Sequence, residues 1–377
     1  MNGSFNDTIN STLTTTDARI SNFGEPAMRV VFIIIAVIYM FVGIVAIPGN
    51  LLILWITMMN KHLRTPINLL VCNLAIAGLL IVWIRIPIKI YELLYPIQAL
   101  FFYPFNISVC KMLQIIPGGC ITSISITLTT ICIDRYNSIV YPTKYKRRMN
   151  LIKVYIFLPL CWLFAFSFWT PYANYMKIIT IGNQRFNVCV PDWPLNPDLD
   201  LNITNSGHPY IYIPVSKLYL WLSFTILIFL IPTGIMTTLY IIAAKKLWRS
   251  GPISKYAPTS TSTRFTNERG DRSTRYSSGL RIKKRVIKIF IACLALFIAS
   301  NLPYYLIFML IEFQLILGFN YYLVNSIINI LILLNYTSVA YNAIIYGYFN
   351  YTFRSNAPRW LRYISSVCSL IRKKQSS

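Results

Sequence analysis

The number and length of the apolar stretches constrain this chain more than any other feature of its sequence. A helix needs about 20 predominantly apolar residues to cross the hydrocarbon core of a bilayer. Seven stretches reach that length, in a chain of 377 residues that is 56% hydrophobic and only 12% charged. They cover residues 29–59, 66–94, 107–140, 151–172, 211–244, 286–311 and 321–348. The sequence therefore predicts an all-α membrane protein, a bundle of seven transmembrane helices.

The distribution of charge predicts how this bundle is oriented. The formal net charge is +24, which on its own is compatible with binding to a nucleic acid. However, 27 of the 35 Lys and Arg residues, but only 3 of the 11 Asp and Glu residues, fall in segments 60–66, 134–153, 244–288 and 349–377. Cytosolic loops carry such an excess of Lys and Arg. We therefore expect the N-terminus outside the cell, the C-terminus in the cytosol, and no nucleic-acid partner.

The spans divide the chain into three regions. Residues 1–28 form a polar extracellular tail without the short apolar core of a signal peptide. Residues 29–348 form the seven-helix domain. Its third cytosolic loop, about 245–288, is expected to continue the fifth and sixth helices at its ends, and its middle part, 250–279, has a disordered composition. Residues 349–377 form a basic cytosolic tail, in which we expect a short amphipathic helix.

Several modifications follow from the predicted orientation. Cys110, at the outer end of the third span, and Cys189, in the long loop after the fourth, are the two cysteines on the oxidising side. A disulfide between them would hold that loop across the mouth of the bundle. Cys368, in the basic tail, is either a palmitoylation site or an unmodified thiol. The Asn-x-Ser/Thr glycosylation acceptors on the outer side are Asn2, Asn6, Asn10, Asn106 and Asn202.

A set of residues distributed over the spans identifies a family. Asp134-Arg135-Tyr136 closes the third span, and its Arg lies 25 residues after Cys110. The other members, in chain order, are Gly49-Asn50, Asn73-Leu74-Ala75, Trp162, Pro232, Tyr240, Phe297, Pro303, Asn342 and Tyr346. This combination resembles the rhodopsin-like (class A) family of G-protein-coupled receptors, and the resemblance covers about residues 30–350.

The resemblance implies how the cytosolic end of the bundle works. In the family, the sixth helix swings outward and opens a cytosolic cleft, and the Arg that corresponds to Arg135 helps to receive the tail of a heterotrimeric G protein. Tyr240 and Tyr346 would reach toward this Arg in the active state. An adjacent Asp, here Asp134, can hold the Arg in a local pair at rest.

Pro232 and Pro303 also have a physical role that does not depend on the family. Each lacks a backbone donor and kinks its helix, which provides a hinge or a static bend.

Arrestin and receptor kinases are further partners that the resemblance implies. The basic inner loops are expected to contact anionic membrane lipids as well as the G protein.

Five residues depart from the family pattern. Gly78 replaces the sodium-binding Asp of the second helix and Ile124 replaces a hydroxyl residue of the same site, so we expect no modulation by sodium. Asn301 replaces the Trp that lies two residues before the proline of the sixth helix. Ala343 replaces the Pro of the Asn-Pro-x-x-Tyr motif, which predicts a less bent seventh helix. Lys283 stands where some members have a Glu that locks the Arg at rest. Together these departures alter the family's switch, and whether they raise basal activity stays open at this point.

Missing residues exclude two classes of ligand. Retinal needs a Lys in the seventh helix for its Schiff base, and residues 321–348 contain none. Biogenic amines need a carboxylate 18 residues before Arg135, where Pro117 stands.

The loop Val188-Cys189-Val190-Pro191-Asp192-Trp193-Pro194 resembles that of neuropeptide Y and RFamide-type receptors. The resemblance therefore implies a neuropeptide ligand that is short, amidated and basic.

Charged residues near the outer end are the candidates for ligand binding. Glu312, nine residues after Pro303, matches an acidic residue that pairs with an Arg of the peptide in neuropeptide Y-like receptors, or it marks the membrane boundary. Charges in the outer half of the second span face a wet cavity or one another. There, Lys89 and Glu92 form an internal pair or contact the ligand. The complete set is Arg85, Lys89, Glu92, Asp192, Trp193 and Glu312.

Two other functions stay open at this point. The first is a receptor of the same family for a lipid or another small molecule. The second is a transporter or channel, which predicts duplicated halves or a charged pathway at the midplane. Neither His62 nor His208 has a carboxylate or Cys set at metal-ligand or triad spacing. We therefore expect no enzyme activity, no cofactor and no metal.

Overall fold

The computed structural model describes most of the chain. The described residues are 25–95, 106–143, 148–181, 186–194, 201–203, 211–249, 266–312, 321–346, 353 and 355–356. The side chains of 25–27, 180–181, 186–188, 201–203, 211–213, 266–286, 311–312 and 321–322 are not among them. Seven helices in these ranges are long and apolar enough to cross a membrane, which confirms the predicted fold class.

The described residues contain seven helices and two antiparallel pairs of strands. The helices are α1 (Glu25–Met59), α2 (Pro66–Leu94), α3 (Ile107–Val140), α4 (Leu151–Asn174), α5 (Val215–Arg249), α6 (Thr266–Glu312) and α7 (Tyr321–Tyr336 and Ser338–Ile344). β1 (Met176–Ile181) pairs antiparallel with β2 (Phe186–Pro191), and β3 (Leu201–Ile203) with β4 (Ile211–Ile213). Capping side chains start three helices: Thr65 at α2, Asn106 at α3 and Asn150 at α4.

The fifth helix begins later than the hydropathy predicts. Residues 211–213, which we assigned to the span, form strand β4. The helix begins at Val215, after Pro214. Proline disfavours helical geometry at the residue before it, and Ile-Tyr-Ile suits a strand. The apolar stretch is therefore continuous in sequence but divided between two kinds of structure.

The sixth helix begins earlier than the composition predicts. α6 begins at Thr266, so residues 266–279 are helical although they belong to the segment of disordered composition. The last proline before α6 is Pro258, and extending a formed helix costs far less than starting one. Residues 250–265 lie outside the described residues. The predicted extension of both helices past the membrane agrees with the ends of α5 and α6.

α3 lies at the centre of the bundle. It packs against α2, α4 and α5. In its most apolar stretch 67% of the residues are buried, against 17% for α4. We call the end of the bundle with Arg135 the inner end and the end with Cys110 the outer end. The sequence predicts that these ends face the cytosol and the exterior, respectively.

Two prolines interrupt the backbone hydrogen bonds of their helices, and a side chain compensates for one of them. Pro232 cannot donate to the carbonyl of Ile228, four residues earlier. The hydroxyl of Ser125 on α3 donates to that carbonyl at 2.6 Å, and residues Thr225–Leu230 form a π-helical turn. In α2 a second π-helical turn, Ile81–Arg85, precedes Pro87. Such repair by a neighbouring hydroxyl is how membrane helices tolerate proline.

The seventh helix is interrupted although it lacks the proline of the family motif. The break lies at Thr337, whose hydroxyl donates to the carbonyl of Leu334 at 2.6 Å. Bonds of this kind disturb the helix. Ala343 has a different role here: a Cβ at Gly49 of α1 would lie 2.9 Å from its Cβ. Small side chains at both positions therefore let α1 and α7 approach closely.

Candidate functional site

Arg135 lies at the inner end of α3, close to a ring of α6. Its guanidinium carbon is 5.9 Å from the centre of the Phe290 ring, within the range of a cation–π interaction. Its Nε is buried and has no hydrogen-bond partner among the described residues. The inner end of α6 thus lies over a cation that has one buried N–H without a partner among the described residues.

Asp134 does not form the local pair with Arg135 that the sequence predicts. Its Oδ1 accepts a hydrogen bond from the backbone N–H of Met149 at 2.8 Å, and no ion pair in the described part of the chain joins it to Arg135. The reason is local geometry, because Asp134 is buried on the side of α3 that meets the start of α4. Asp134 therefore holds the segment just before α4. The ring of Phe290, and not the carboxylate of Asp134, lies over the guanidinium of Arg135.

Three rings form what we call the inner aromatic cluster: Tyr240, Phe290 and Tyr346. The Phe290 ring centre lies 6.0 Å from that of Tyr240 on α5 and 6.1 Å from that of Tyr346. A cavity of about 10 Å³ lies against the cluster and is also lined by Phe297. Tyr346 Oη and Asn342 Oδ1 are buried without partners among the described residues. Of the residues predicted for activation, Arg135, Tyr240, Phe297 and Tyr346 thus lie around Phe290, and the ring of Tyr136 packs on that of Tyr141.

Helices α2, α3 and α4 share a second polar cluster, in which both amide atoms of Asn73 and the indole nitrogen of Trp162 have partners. Asn73 Nδ2 donates to Ser123 Oγ at 3.0 Å and to Thr127 Oγ1 at 2.9 Å. Asn73 Oδ1 accepts from Trp162 Nε1 at 2.7 Å. Nearby, Asn50 Nδ2 joins α1 to α7 by donating to the carbonyl of Val339 at 3.0 Å. Asn50, Asn73 and Trp162 therefore act here as fixed links between helices.

The structure shows the neighbours of two residues that depart from the family pattern, Gly78 and Asn301. Gly78 faces Asn50, and a Cβ at this position would lie 3.1 Å from Asn50 Nδ2. Asn301 Oδ1 accepts from Asn335 Nδ2 at 2.8 Å, which joins α6 to α7. Asn335 was not predicted to be this partner. Its polar side chain in an apolar span is the signal that could have found it, because such residues bond within the bundle.

The predicted disulfide is confirmed at the outer end. Cys110 is bonded to Cys189 of β2, so the β1–β2 hairpin is tethered to α3. Directly after β2, Asp192 pairs with Lys177 at 2.7 Å. The Trp193 ring lies 4.7 Å from that of Tyr175. Both loop candidates for ligand binding therefore have partners that hold them beside the end of α4.

An aromatic cluster between α4, α5 and α6 was not predicted. The rings of Trp169 and Phe224 stack at 4.1 Å, and those of Trp221 and Phe308 lie 4.4 Å apart. A Cβ at Gly118 of α3 would overlap the Trp169 indole ring. Gly118 follows Pro117, the residue whose lack of a carboxylate excludes an amine ligand. Because Gly118 has no side chain, it leaves room for the indole ring of Trp169.

The charged residues of α2 form a compact set at the outer end. Lys89 Nζ lies 2.7 Å from Glu92 Oε2, which is the internal pair that the sequence analysis considered. Arg85 pairs with the other carboxylate oxygen, Glu92 Oε1, at 3.1 Å. Asn106 is exposed beside this end, with its Oδ1 bonded to the N–H of Val109.

Several predicted site residues lie outside the part of the chain that the structure describes. The side chains of Glu312 and Lys283, and that of Asn202 in β3, lie outside the described residues, as do Asn2, Asn6, Asn10 and Cys368. Within the described part of the chain, no group of three or more His, Cys, Asp or Glu residues is placed to hold a metal ion.

The fold and the site are those of a seven-helix membrane receptor. Seven helices can cross the membrane, a hairpin is tethered to the third helix, and an Arg lies under an aromatic ring at the opposite end. A family model described as "7 transmembrane receptor (rhodopsin family)" matches residues 49–346. The chain belongs to this family, and it is therefore a multi-pass plasma-membrane receptor and not an enzyme.

Three relatives are similar over most of this chain. They are a QRFP-like peptide receptor of Branchiostoma floridae (26% identical over 73% of this chain and 64% of the relative), a tachykinin-like peptides receptor 86C of Drosophila melanogaster (27%, 73% and 48%) and a pyroglutamylated RF-amide peptide receptor of Rattus norvegicus (23%, 88% and 69%). The chain thus spans between about half and two thirds of the length of these relatives.

Proposed function

We propose that this receptor binds an extracellular neuropeptide and activates a heterotrimeric G protein in the cytosol. The observation that carries the proposal is the state of Arg135, a cation covered by Phe290 with a buried N–H that has no described acceptor. An Arg with unused donors can bind several carbonyl or carboxylate oxygens at once. A partner that supplies those oxygens gains hydrogen bonds only after α6 has moved away.

α6 is the element that would transmit the signal. Phe308, on its outer half, packs on Trp221 of α5, and Phe290, on its inner half, covers Arg135. Pro303 lies between them and provides a position where the helix can bend. A ligand that changes the packing at the outer aromatic cluster would therefore shift the inner half of α6. By linkage, a bound G protein would raise the affinity for the ligand by the same factor.

The class of ligand rests on the outer loop and on the relatives. The tethered β1–β2 hairpin, with Asp192 and Trp193 after it, resembles the loop of receptors for RFamide-type peptides, and two relatives are named for such peptides. We propose a short, amidated peptide with a basic residue near its C-terminus, for which Glu312 would be the partner. Glycosylation of the N-terminal tail, palmitoylation of Cys368 and later binding of receptor kinases and arrestin belong to the same proposal.

The proposal is tested by measuring nucleotide exchange on a panel of G proteins in membranes that contain the full chain. The probes are synthetic peptides that end in Arg-Phe-NH₂, and an equal number of lipids. A response to peptides is expected. A response to lipids alone would exclude the peptide ligand, and no exchange with any G protein at normal surface expression would exclude the coupling.

The contact with Glu312 is tested separately. Glu312→Arg should weaken activation by an Arg-containing peptide about tenfold or more, because a charge-assisted hydrogen bond is worth about 1.5–3 kcal/mol. Asp17→Arg is the matched control, since it makes the same change of charge in the N-terminal tail, away from the candidate ligand-binding residues. Undiminished potency of the Glu312→Arg receptor, at unchanged surface expression, would contradict the assignment of Glu312.

A further inference from the structure

Arg85, Lys89 and Glu92 form a trio whose charges do not balance. Two cations share the carboxylate of Glu92, at 3.1 Å and 2.7 Å. The side chains of Arg85 and Lys89 are only 14% and 11% exposed, and that of Glu92 is 33% exposed. A structural ion pair at this depth needs one cation for one carboxylate. The second cation leaves a net charge of +1 in a setting where an uncompensated charge is costly.

The trio faces the interior of the bundle and not the lipid. Arg85 interacts electrostatically with the hydroxyl groups of Tyr39 on α1 and Tyr336 on α7. Tyr304 on α6 interacts with Arg85 as well. The rings of Tyr39 and Tyr336 lie edge to face, with their centres 6.5 Å apart. Helices α1, α6 and α7 therefore contribute hydroxyl groups to the electrostatic surroundings of Arg85.

Donors at this place outnumber the acceptors. Arg has five N–H donors and Lys has three, whereas the described acceptors are the two carboxylate oxygens of Glu92 and the hydroxyl of Tyr336. Among the described side chains, Glu92 is the only carboxylate paired with either cation. Tyr39 is fully buried, and its hydroxyl has no described hydrogen-bond partner. An additional acceptor with a negative charge would balance both the charge and the hydrogen bonds.

We infer that the trio, together with the hydroxyl of Tyr39, is the subsite for an anionic group of the ligand, a carboxylate or a sulfate. The inference rests on the proposed function, since it assumes that the ligand enters the outer half of the bundle. It adds a requirement, because a ligand that is only basic leaves this charge unbalanced. The peptide should carry an acidic group in addition to its basic residue. Arg85 and Lys89 bind that group, and Glu92 holds both cations in position.

The unbalanced charge is tested first, without a ligand, by thermal unfolding of the purified full-length receptor. Lys89→Met leaves a neutral Arg85–Glu92 pair, so the unfolding temperature should stay unchanged or rise. Glu92→Gln leaves two unpaired cations and should lower it by about 5 °C or more. A loss for Lys89→Met as large as that for Glu92→Gln would make the trio a purely structural network and overturn the inference.

The anionic group is tested with matched probes in the nucleotide-exchange assay. Peptides that end in Arg-Phe-NH₂ are made in pairs, with Glu or Gln at each of the positions upstream. The lipid arm compares oleate with oleamide. On the natural receptor the best Glu peptide should be about tenfold more potent than its Gln partner. Arg85→Gln should remove this preference, so that the Glu and Gln peptides become equally potent on that variant.

The outcomes separate the two proposals. If oleate and not oleamide activates the receptor through Arg85, the anionic subsite is supported but the peptide ligand is excluded. If Gln peptides equal Glu peptides, or if Arg85→Gln keeps the preference, the subsite is excluded while the peptide receptor stands. If no probe activates the receptor, the proposed function fails, and the unfolding experiment alone decides on the trio.

Discussion

Two buried polar clusters in the inner half of the bundle contrast with each other. Around Asn73, the amide nitrogen and oxygen make three hydrogen bonds that connect α2, α3 and α4. Around Arg135, the Nε of the Arg, Asn342 Oδ1 and Tyr346 Oη have no partners in the described part of the chain. The first cluster is satisfied and the second is not. This difference divides the bundle into a fixed half and a half that is ready to rearrange.

The contrast has an energetic meaning. A buried polar group without a partner costs about 1–3 kcal/mol. The arrangement of α3, α6 and α7 in this structure leaves three such atoms without partners among the described residues. Any rearrangement that gives partners to these groups is favoured by that amount. The cluster around Asn73 offers no such gain and keeps its geometry while the other half moves.

The largest effect on stability is expected for Asn73→Leu. This change removes the partner of Ser123, Thr127 and Trp162 together, and it should lower the free energy of unfolding by about 2–4 kcal/mol. Asn329→Leu is the matched control, since the bonds of Asn329 stay within its own helix. Thermal unfolding of the ligand-free receptor measures both. Equal losses would mean that the Asn73 cluster does not fix the three helices.

Arg135→Gln should have the opposite profile. The unfolding temperature should stay close to that of the natural receptor, because Arg135 Nε makes no described hydrogen bond. G-protein nucleotide exchange should fall about tenfold or more, since charge-assisted hydrogen bonds are worth about 1.5–3 kcal/mol. Arg64→Gln, an exposed arginine bonded to the carbonyl of Met58, is the control. A large loss of stability without a loss of exchange would reverse the comparison.

Gly118→Ala tests the fixed half at its contact with α4. The added methyl group would overlap the ring of Trp169, and overpacking costs about 1–3 kcal/mol. Gly234→Ala is a control in α5, where nothing lies within 4 Å of the added atom, and it should leave stability unchanged or raise it. Thermal unfolding again distinguishes them. If Gly118→Ala is harmless, α3 and α4 are not closely packed there.

The smallest effect is expected for Tyr346→Phe. Its hydroxyl is buried without a partner among the described residues, so the free energy of unfolding should be unchanged or rise. Activated nucleotide exchange should fall about twofold to tenfold, which corresponds to one neutral hydrogen bond of about 0.5–1.5 kcal/mol gained in the active state. Unchanged exchange would show that Tyr346 gains no partner on activation.

Much of the fold followed from the sequence because membrane helices are defined by length and hydropathy. The number of spans and the ends of α2 and α3 needed only that signal. Hydropathy could not separate strand β4 from α5, since both are apolar, and composition could not show that α6 extends to Thr266. Topology was sufficient to pair Cys110 with Cys189, because few cysteines lie on the outer side.

The site was less accessible to sequence analysis because its decisive contacts join distant residues. The resemblance placed Arg135 at the inner end, but it suggested Asp134 as the partner, and packing gives that role to Phe290. The bond between Asn301 and Asn335, 34 residues apart, also depends on how α6 and α7 lie against each other. Likewise, the charge imbalance at Glu92 depends on which side chains its two carboxylate oxygens meet, and these are Arg85 and Lys89.

The central claim is that Phe290 covers Arg135 at rest and that uncovering it permits coupling. The most direct measurement is basal nucleotide exchange per surface receptor for Phe290→Ala, with the exposed Phe41→Ala as the control. Basal exchange should rise about threefold or more, the equivalent of one lost cation–π contact, and Arg135→Gln in the same chain should abolish the increase. Basal exchange that equals that of the natural receptor, at equal surface expression, would contradict the account.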